Sequence, residues 1–164
     1  MRQVAANADM TLSNVQYYFK NKNELLKAMA DRYFNACLNE MRGMAPIGTK
    51  QNIELDLQSM LTTFLGHGIE LSEMCRIFRE YWAISTRNQS IDDHIQEYYR
   101  EMVLILSNLL KPAAKSDKSL SIAVSLLIPY VEGYSITAKT MPEDINSVTQ
   151  ILTQIFLHEL QNQA

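Results

Sequence analysis

Residues 2–26 read RQVAANADMTLSNVQYYFKNKNELL, and this stretch decides the fold of the beginning of the chain. Apolar residues recur at helical spacing in two short runs, which predict helices over Arg2–Ala8 and Leu12–Phe19. Asp9 interrupts the pattern between them, and Thr11 is a favourable N-cap for the second helix. Two short helices joined by a tight turn form a helix-turn-helix, whose second helix reads base edges in the major groove of DNA.

A longer helix is predicted directly after these two. Asn21 and Glu24 have the spacing of a capping box, with Asn21 at the N-cap and Glu24 at the third helical position. Apolar residues then continue at helical spacing, which predicts a helix from Lys22 to about Met41. A long helix is therefore expected to lead out of the helix-turn-helix unit.

The clearest break in the sequence is residues 43–48, GMAPIG, which contain two glycines and a proline. It divides the chain into a helix-turn-helix unit with its connecting helix, residues 1–42, and a larger unit, residues 43–164. Five more helices are predicted in the larger unit. They are Gln51–Gly66, ending at a bend at His67-Gly68, then Leu71–Arg87, a helix capped by Ser90 and running to Leu110, Ser119–Met141, and Glu143–Gln161.

The composition favours an all-α protein with a sizeable core. Of the 164 residues 47% are apolar, whereas there are only 5 Gly and 4 Pro, which favours helices over a turn-rich β architecture. No segment shows the sustained alternation of apolar and polar residues that predicts a strand. We therefore predict an all-α fold.

Charge is distributed unevenly along the chain. The net charge of −3 argues against nucleic-acid binding by the whole surface. Residues 1–22 carry three Lys or Arg and one Asp, whereas residues 43–164 carry nine Lys or Arg and fourteen Asp or Glu. A basic beginning on an acidic body suits a protein that touches DNA phosphates at one end only.

The sequence favours a cytoplasmic protein. Cys37 and Cys75 lie far apart and in no C-x-x-C pattern, which is typical of buried cytosolic thiols. The first residues are polar and no apolar segment of a signal peptide follows. The most apolar stretch, Leu120–Val131, is too short to span a bilayer.

The helix-turn-helix string resembles the DNA-binding signature of TetR-family repressors, approximately R-x-V-A-x-x-A-G-V-S followed by L-Y-x-Y-F-x-x-K-x-x-L-L. The resemblance implies a TetR-type helical ligand-binding and dimerisation domain after the helix-turn-helix. It also implies a repressor that a small-molecule inducer releases from a palindromic operator. The matching residues are Arg2, Val4, Ala5, Ala8, Tyr18, Phe19, Lys22, Leu25 and Leu26.

The sequence departs from this signature in several places. Asp9 stands where the family usually has Gly, and Asp tolerates the left-handed backbone that such a turn needs better than most residues. The family also places a further helix before the residue that matches Arg2. Because the sequence has no counterpart of it, we expect an N-terminally truncated, frayed helix-turn-helix remnant whose DNA binding is weak or lost. An upstream start is favoured over a real short form.

If the unit binds operator DNA, its second helix is expected to face the groove. Asn14 and Gln16 are suited to adenine and Leu12 to a thymine methyl, whereas Tyr18 and Phe19 are expected to pack in the core. Tyr17 and Lys22 resemble the phosphate contacts of the family. The full set of predicted DNA-binding residues is Arg2, Thr11, Leu12, Ser13, Asn14, Gln16, Tyr17, Lys20 and Lys22.

Aromatic residues and methionines are frequent in the larger unit. At helical spacing they are most often ordinary core, but the resemblance implies an apolar inducer pocket whose occupation changes the angle of the long helix after the recognition helix. Tyr hydroxyls, the Trp82 indole, His67 and Glu132 are its candidate polar groups. The predicted pocket residues are Met60, Phe64, Phe78, Tyr81, Trp82, Tyr98, Met102, Tyr130 and Tyr134.

The last two helices are predicted to form a homodimer interface, because each has a broad apolar stripe and the family pairs these helices as a four-helix bundle. An intramolecular core is the alternative interpretation of the same stripes. The predicted interface residues are Leu120, Val124, Leu127, Ile128, Val131, Val148, Ile151, Leu152, Ile155 and Phe156.

Catalysis is not expected. The sequence contains no metalloprotease, P-loop or dinucleotide-binding motif, and His67, His94 and His158 lie on different segments without an evident catalytic partner. We expect no catalytic residue, no metal site and no cofactor. The remaining alternative is a dimerising, ligand-binding helical module that does not bind DNA by itself.

Overall fold

The computed structural model describes residues 1–48, 52–69 and 73–162, and within these ranges it contains helices and no strand. The predicted all-α fold is confirmed. The α-helices are α1 (Arg2–Asn7), α2 (Leu12–Tyr18), α3 (Lys22–Gly43), α4 (Ile53–Ile69), α5 (Glu73–Ser85), α6 (Gln89–Leu110), α7 (Asp117–Thr137) and α8 (Ile145–Leu160). Short 3₁₀ turns, Lys111–Ala113 and Ala138–Thr140, follow α6 and α7.

Side-chain caps set where several helices begin. Thr11 accepts a hydrogen bond from the backbone N–H of Asn14 and begins α2, as predicted. Asn21 caps α3 by accepting from the N–H of Glu24. The predicted cap at Ser90 is wrong: Asn88 caps α6 by accepting from the N–H of Ile91. Asn and Ser are nearly equivalent as caps, so the cap alone does not distinguish the two starts.

The bend predicted at His67-Gly68 is wrong, because α4 continues through Ile69. A glycine inside a helix costs about 1 kcal/mol relative to alanine, which the buried residues of α4 outweigh. Leu57, Leu61 and Leu65 are fully buried along one side of this helix. The predicted helix starts at Gln51 and Leu71 lie outside the described residues.

Two groups of helices enclose the core. α4 packs against α8 and α7, while α3 packs against α6 and α5, and a contact between α6 and α7 joins the groups. The buried centre contains Leu61, Ile91 and Ile95, each with almost no exposed surface. Since α3 packs on α5 and α6, the helix that leaves the helix-turn-helix unit belongs structurally to the body.

Leu61 tests the contribution of α4 to the core. We expect Leu61→Ala to lower the free energy of unfolding by about 2–5 kcal/mol, because the substitution removes apolar contacts and leaves a cavity. Leu55→Ala is the matched control, since Leu55 is exposed on the same helix, and we expect a change of about 0.5 kcal/mol or less. Urea unfolding followed by circular dichroism measures both, and equal effects would contradict the assignment.

Candidate DNA interface and ligand cavity

The turn between α1 and α2 has the backbone that the sequence predicted. Asp9 adopts φ +51°, in the left-handed region, and the N–H of Met10 donates to the carbonyl of Ala5 at 2.9 Å. Ala5 and Val15 are buried where the two short helices meet. The Asp9 side chain therefore occupies the tight turn without preventing the helices from packing on each other.

Helix α2, the predicted recognition helix, presents a polar surface to solvent. Ser13, Asn14 and Gln16 are exposed, whereas Leu12 is half-buried. Thr11 also lies within 3.4 Å of the Ser13 hydroxyl, besides accepting from the Asn14 N–H at 3.2 Å. The amides predicted to read bases thus stand on the accessible side of the first turns of the helix, where a helix in the major groove contacts base edges.

The two tyrosines at the end of α2 are both accessible. Tyr17 is 84% exposed, and Tyr18 is 66% exposed, with its ring edge-to-face against Tyr17 at a centroid distance of 5.3 Å. The expectation that Tyr18 packs in the core is therefore wrong, while Phe19 is half-buried. Helical periodicity placed Tyr18 on the apolar side of α2, but its ring stays in solvent beside Tyr17.

Positive charges flank the recognition helix. Lys20, Lys22 and Arg2 are exposed, and Lys22 is the first residue of α3. The backbone N–H of Lys20 donates to a carboxylate oxygen of Glu24 at 2.9 Å, so the predicted capping interaction reaches one residue further back than expected. This bond fixes the chain between α2 and α3 and holds both lysines close to the start of a helix, a favourable place for a phosphate.

A reciprocal amide pair ties the start of α3 to the body. The Asn88 Nδ2 donates to Asn23 Oδ1 at 2.9 Å, and the Asn23 Nδ2 donates to Asn88 Oδ1 at 3.4 Å. Asn88 is also the cap of α6, so one side chain fixes both the beginning of α6 and its position against α3. Sequence reasoning missed this pair, because nothing local indicates that side chains 65 positions apart meet.

A second polar connection lies two turns further along α3. His94 of α6 bonds Asp31 through Nε2 at 2.8 Å and the Tyr81 hydroxyl through Nδ1 at 2.6 Å, and so joins α3, α6 and α5. Burial, and then the charge of Asp31, raise the pKa of Tyr81. His94 is thus a satisfied polar group with structural partners, and Tyr81 points to it as part of this network.

A cavity of about 370 Å³ lies between α3, α4, α5, α6 and α7. Its volume is within the usual range of small-molecule sites, and its walls are mostly apolar. The lining residues are Cys37, Glu40, Met41, Phe64, His67, Phe78, Arg79, Trp82, Tyr98, Tyr99, Met102, Leu106, Leu127, Ile128, Val131, Glu132, Gly133, Ser135 and Ile136.

About half of the residues predicted for the pocket lie in this cavity. Phe64, Phe78, Trp82, Tyr98 and Met102 line it, and so do the candidate polar groups His67 and Glu132. Four predicted residues do not line it, because their side chains pack elsewhere or face solvent. Met60, Tyr81 and Tyr134 are buried in the core, and Tyr130 is exposed and stacked on Tyr134.

The polar groups of the cavity are few and differ in how well they are paired. Burial raises the pKa of Glu132, and a hydrogen bond from the Tyr99 hydroxyl offsets part of this shift. Arg79 donates through Nη2 to the backbone carbonyl of Ser135, whereas its buried Nε has no hydrogen-bond partner among the described residues. Glu40 and His67 pair at 3.2 Å and are each partly exposed. Sequence reasoning missed Arg79, Tyr99 and Glu40.

Phe34 connects the cavity wall to the long helix. Its ring stacks on Tyr98 at a centroid distance of 4.3 Å and on Phe78 at 5.0 Å, and both of these rings line the cavity. Phe34 belongs to α3, the same helix that carries Asn23 and Asp31. A displacement of these cavity-lining rings would therefore push on α3, the helix that leads to the helix-turn-helix unit.

The residues predicted for a dimer interface divide into two groups. Leu120, Val124, Leu127, Leu152 and Phe156 are buried in the chain's own core and offer no surface to a second copy. Ile128, Val131 and Val148 are half-buried, while Ile151 and Ile155 are 63% and 50% exposed. α7 adds the exposed Ile122 and Leu126, which were not predicted.

Two further observations concern membranes and metals. By length and composition alone, residues Asp117–Thr140 could cross a membrane, although the inner side of this segment packs in the core. No group of three or more His, Cys, Asp or Glu side chains that could hold a metal ion occurs within the described ranges. The Cys37 thiol accepts a hydrogen bond from the Tyr98 hydroxyl at 3.2 Å, and the side chain of Cys75 lies outside the described residues.

Comparison with known proteins identifies one relevant similarity. The chain is 52% identical over 160 residues to an uncharacterized HTH-type transcriptional regulator in the dhlA 5' region of Xanthobacter autotrophicus. The alignment covers 98% of the chain and 79% of that relative. No family model and no solved structure matches the chain.

A double-mutant cycle can measure the interaction energy of the Asn23–Asn88 pair. We expect Asn88→Ala to destabilise the protein by about 1–2 kcal/mol, since it removes a cap and one half of the pair. The cycle with Asn23→Ala should give an interaction energy of about 0.5–1.5 kcal/mol. Chemical denaturation measures it. A cycle pairing Asn88→Ala with Asn35→Ala, which removes an exposed amide of α3, should give none; equal coupling in the two cycles would contradict a direct contact.

Proposed function

The chain belongs to the HTH-type transcriptional regulators, and from that premise we propose that it is a TetR-type repressor. In this proposal a homodimer binds a palindromic operator through α2, and a small-molecule inducer held in the cavity releases it. The single observation that carries the proposal is that α3 both leaves the helix-turn-helix unit and lines the cavity. We further propose that the protein acts in the cytoplasm and is not an enzyme.

Direct base contacts are assigned to the exposed side of α2. Asn14 and Gln16 carry amides that can pair with adenine through two hydrogen bonds, and the half-buried Leu12 is suited to a thymine methyl. Ser13 and Thr11 supply hydroxyl groups at the beginning of the helix. Their accessibility supports this role.

Phosphate contacts are assigned to the residues on either side of α2. Lys20, Lys22 and Tyr17 follow the base-reading surface, and Arg2 begins α1. These groups attract the backbone whatever its sequence, so they position the recognition helix and contribute most of the salt dependence. The acidic body is then repelled from DNA, which favours contact through this end alone.

The dimer interface is assigned to the exposed apolar sides of α7 and α8. Ile122, Leu126, Ile151 and Ile155 leave large apolar side chains in solvent on these two helices. A second copy of the chain is the proposed occupant, since a twofold pair would place two recognition helices on one palindromic site.

Induction is assigned to a change in α3. Cys37, Glu40 and Met41 of this helix line the cavity, and Phe34 packs on two of its aromatic walls. An inducer that binds one orientation of α3 more tightly than the other shifts the population toward it. Its coupling to operator binding can be no larger than that difference in affinity.

A second candidate function is a dimerising ligand-binding module that does not bind DNA by itself. The observation that favours it is the exposure of Val4 and Tyr18, which leaves apolar surface on the small helix-turn-helix unit. Selection of bound sequences from random duplex DNA separates the two functions. Recovery of a palindromic site supports the repressor, whereas no retention of any duplex supports the module.

Substitutions of phosphate-contacting and base-contacting residues should have different effects on DNA binding. We expect Lys22→Ala to weaken binding to all duplexes and to reduce the salt slope by about 1, and Gln16→Ala to lose about 1–3 kcal/mol of discrimination at one base pair. Fluorescence anisotropy with the selected site over a range of salt measures both effects. Lys118→Ala on α7 is the control for charge, and an unchanged salt slope in Lys22→Ala would reject its phosphate contact.

Substitution of the exposed apolar side of α8 should separate the dimer. We expect the wild-type chain to have twice the 18.8 kDa mass of one copy in light scattering, and Ile151→Glu to have the mass of one copy. Leu104→Glu places the same charge at an equally exposed apolar position on α6 and should remain dimeric. A wild-type monomer at micromolar concentration would reject this interface.

A further inference from the structure

We infer that the ligand of the cavity is a carboxylate with a compact apolar body, held by its carboxylate against Arg79. This inference rests on the proposed function and names the chemical class of the inducer. It depends on the way the polar groups of the cavity are paired and on the nature of its walls.

Arg79 has one hydrogen-bond donor, its Nε, without a partner in the described part of the chain. Its Nη2 donates to the backbone carbonyl of Ser135, which fixes the guanidinium between α5 and α7. Its Nε is buried and has no hydrogen-bond partner among the described residues. A buried donor without an acceptor costs stability, and more so when it is charged, so an oxygen acceptor entering the cavity would remove that cost.

Glu132 does not take that place. It receives a hydrogen bond from the Tyr99 hydroxyl, and no ion pair between Glu132 and Arg79 occurs in the described part of the chain. Burial disfavours its charged form. Among the described residues no carboxylate neutralises the charge of Arg79 by direct contact, which favours an anion over a neutral acceptor or a cation.

Two other ionisable side chains on this wall, Glu40 and His67, are paired with each other. They bond at 3.2 Å and are partly exposed, so solvent screens them. They leave Arg79, a half-buried residue whose Nε is buried, as the strongest attraction for an anion within the site. A planar carboxylate also suits the planar guanidinium better than a point-like anion does.

The remaining walls determine the body of the ligand. Phe64, Phe78 and Trp82 contribute aromatic surface, and Leu127, Ile128 and Val131 contribute aliphatic surface from α7. A cavity of about 370 Å³ accommodates a small molecule with one ring and a short chain better than an extended lipid. An arylalkanoate fits both the charge and these walls.

Trp82 allows a direct test. It lines the cavity and is the only tryptophan of the chain, so its fluorescence reports on the site without a label. The probes are phenylbutyrate, phenylbutyramide and phenylbutylamine, which share a carbon skeleton and differ in the head group. We expect phenylbutyrate to bind the full chain at least about tenfold more tightly than the amide, and the amine more weakly still.

Variants assign that preference to Arg79. Arg79→Gln should bind the acid and the amide equally, and retained amide binding would show that the cavity is intact. Arg79→Lys keeps the charge without the Nε donor and should lose several-fold of the preference, which keeps the test available if the glutamine variant does not fold. Arg76→Gln removes an exposed arginine from the same helix and should keep the preference. Glu132→Gln should bind the acid at least as tightly as the wild type.

Three results would overturn the inference: equal binding of the acid and the amide, a preference for the amine, or no binding of the acid at millimolar concentration. Operator binding is measured separately by anisotropy on the wild-type chain. If the chain binds the acid selectively but binds no DNA duplex, the repressor proposal is rejected and the proposed ligand class is retained. Operator binding without acid selectivity would reject the ligand class alone.

Discussion

The position of α3 against α6 is the constraint on which the rest of the structure depends. One end of α3 carries the helix-turn-helix unit, and the other lines the cavity. Apolar packing through Phe34, Leu38 and Met41 buries this helix, but such contacts alone do not set its position along its axis. The Asn23–Asn88 and Asp31–His94 pairs fix the position of α3 along its axis. A hydrogen bond is lost when its partners separate by a fraction of a helical turn.

The two polar pairs between α3 and α6 stabilise the packing of these helices less than apolar contacts would. Their role is better explained by the need for a defined position of α3 against α6. The hydrogen-bonded pair of Asp31 and His94 is only partly buried, and polar pairs that solvent reaches contribute little to stability. Their larger effect is on geometry: with Asn23 at the first turn and Asp31 two turns later, α3 is fixed at two points on its side facing α6. Because α3 is fixed to α6 at these two points, a displacement of the body helices can be transmitted through α3 to α2. A flexible linker between the two units would not transmit such a displacement.

The helices were predictable because their signals are local. Thr11, Asn21 and the Asp9 turn were identified correctly, since a cap or a left-handed residue is determined by its immediate neighbours. The cavity was predictable only in part. Periodicity indicates which side of a helix is apolar, but not whether that side meets a neighbouring helix or an empty volume. Tyr81 and Tyr134 therefore looked equivalent to Tyr98, although only Tyr98 lines the cavity. Leu152 and Ile151 are adjacent in sequence, yet Leu152 is buried in the core and Ile151 is exposed on the surface.

Pro129 gives α7 a local weakness within the stretch that lines the cavity. A proline inside a helix lacks the N–H that would bond the carbonyl four residues earlier, here that of Ser125. The α7 residues that line the cavity lie on both sides of this point, Leu127 and Ile128 before it and Val131 and Glu132 after it. A ligand that pulls on the second part therefore meets less resistance from the first. The Arg79 bond to Ser135 lies in that second part, so a carboxylate on Arg79 would act on the half of α7 that is freer to move.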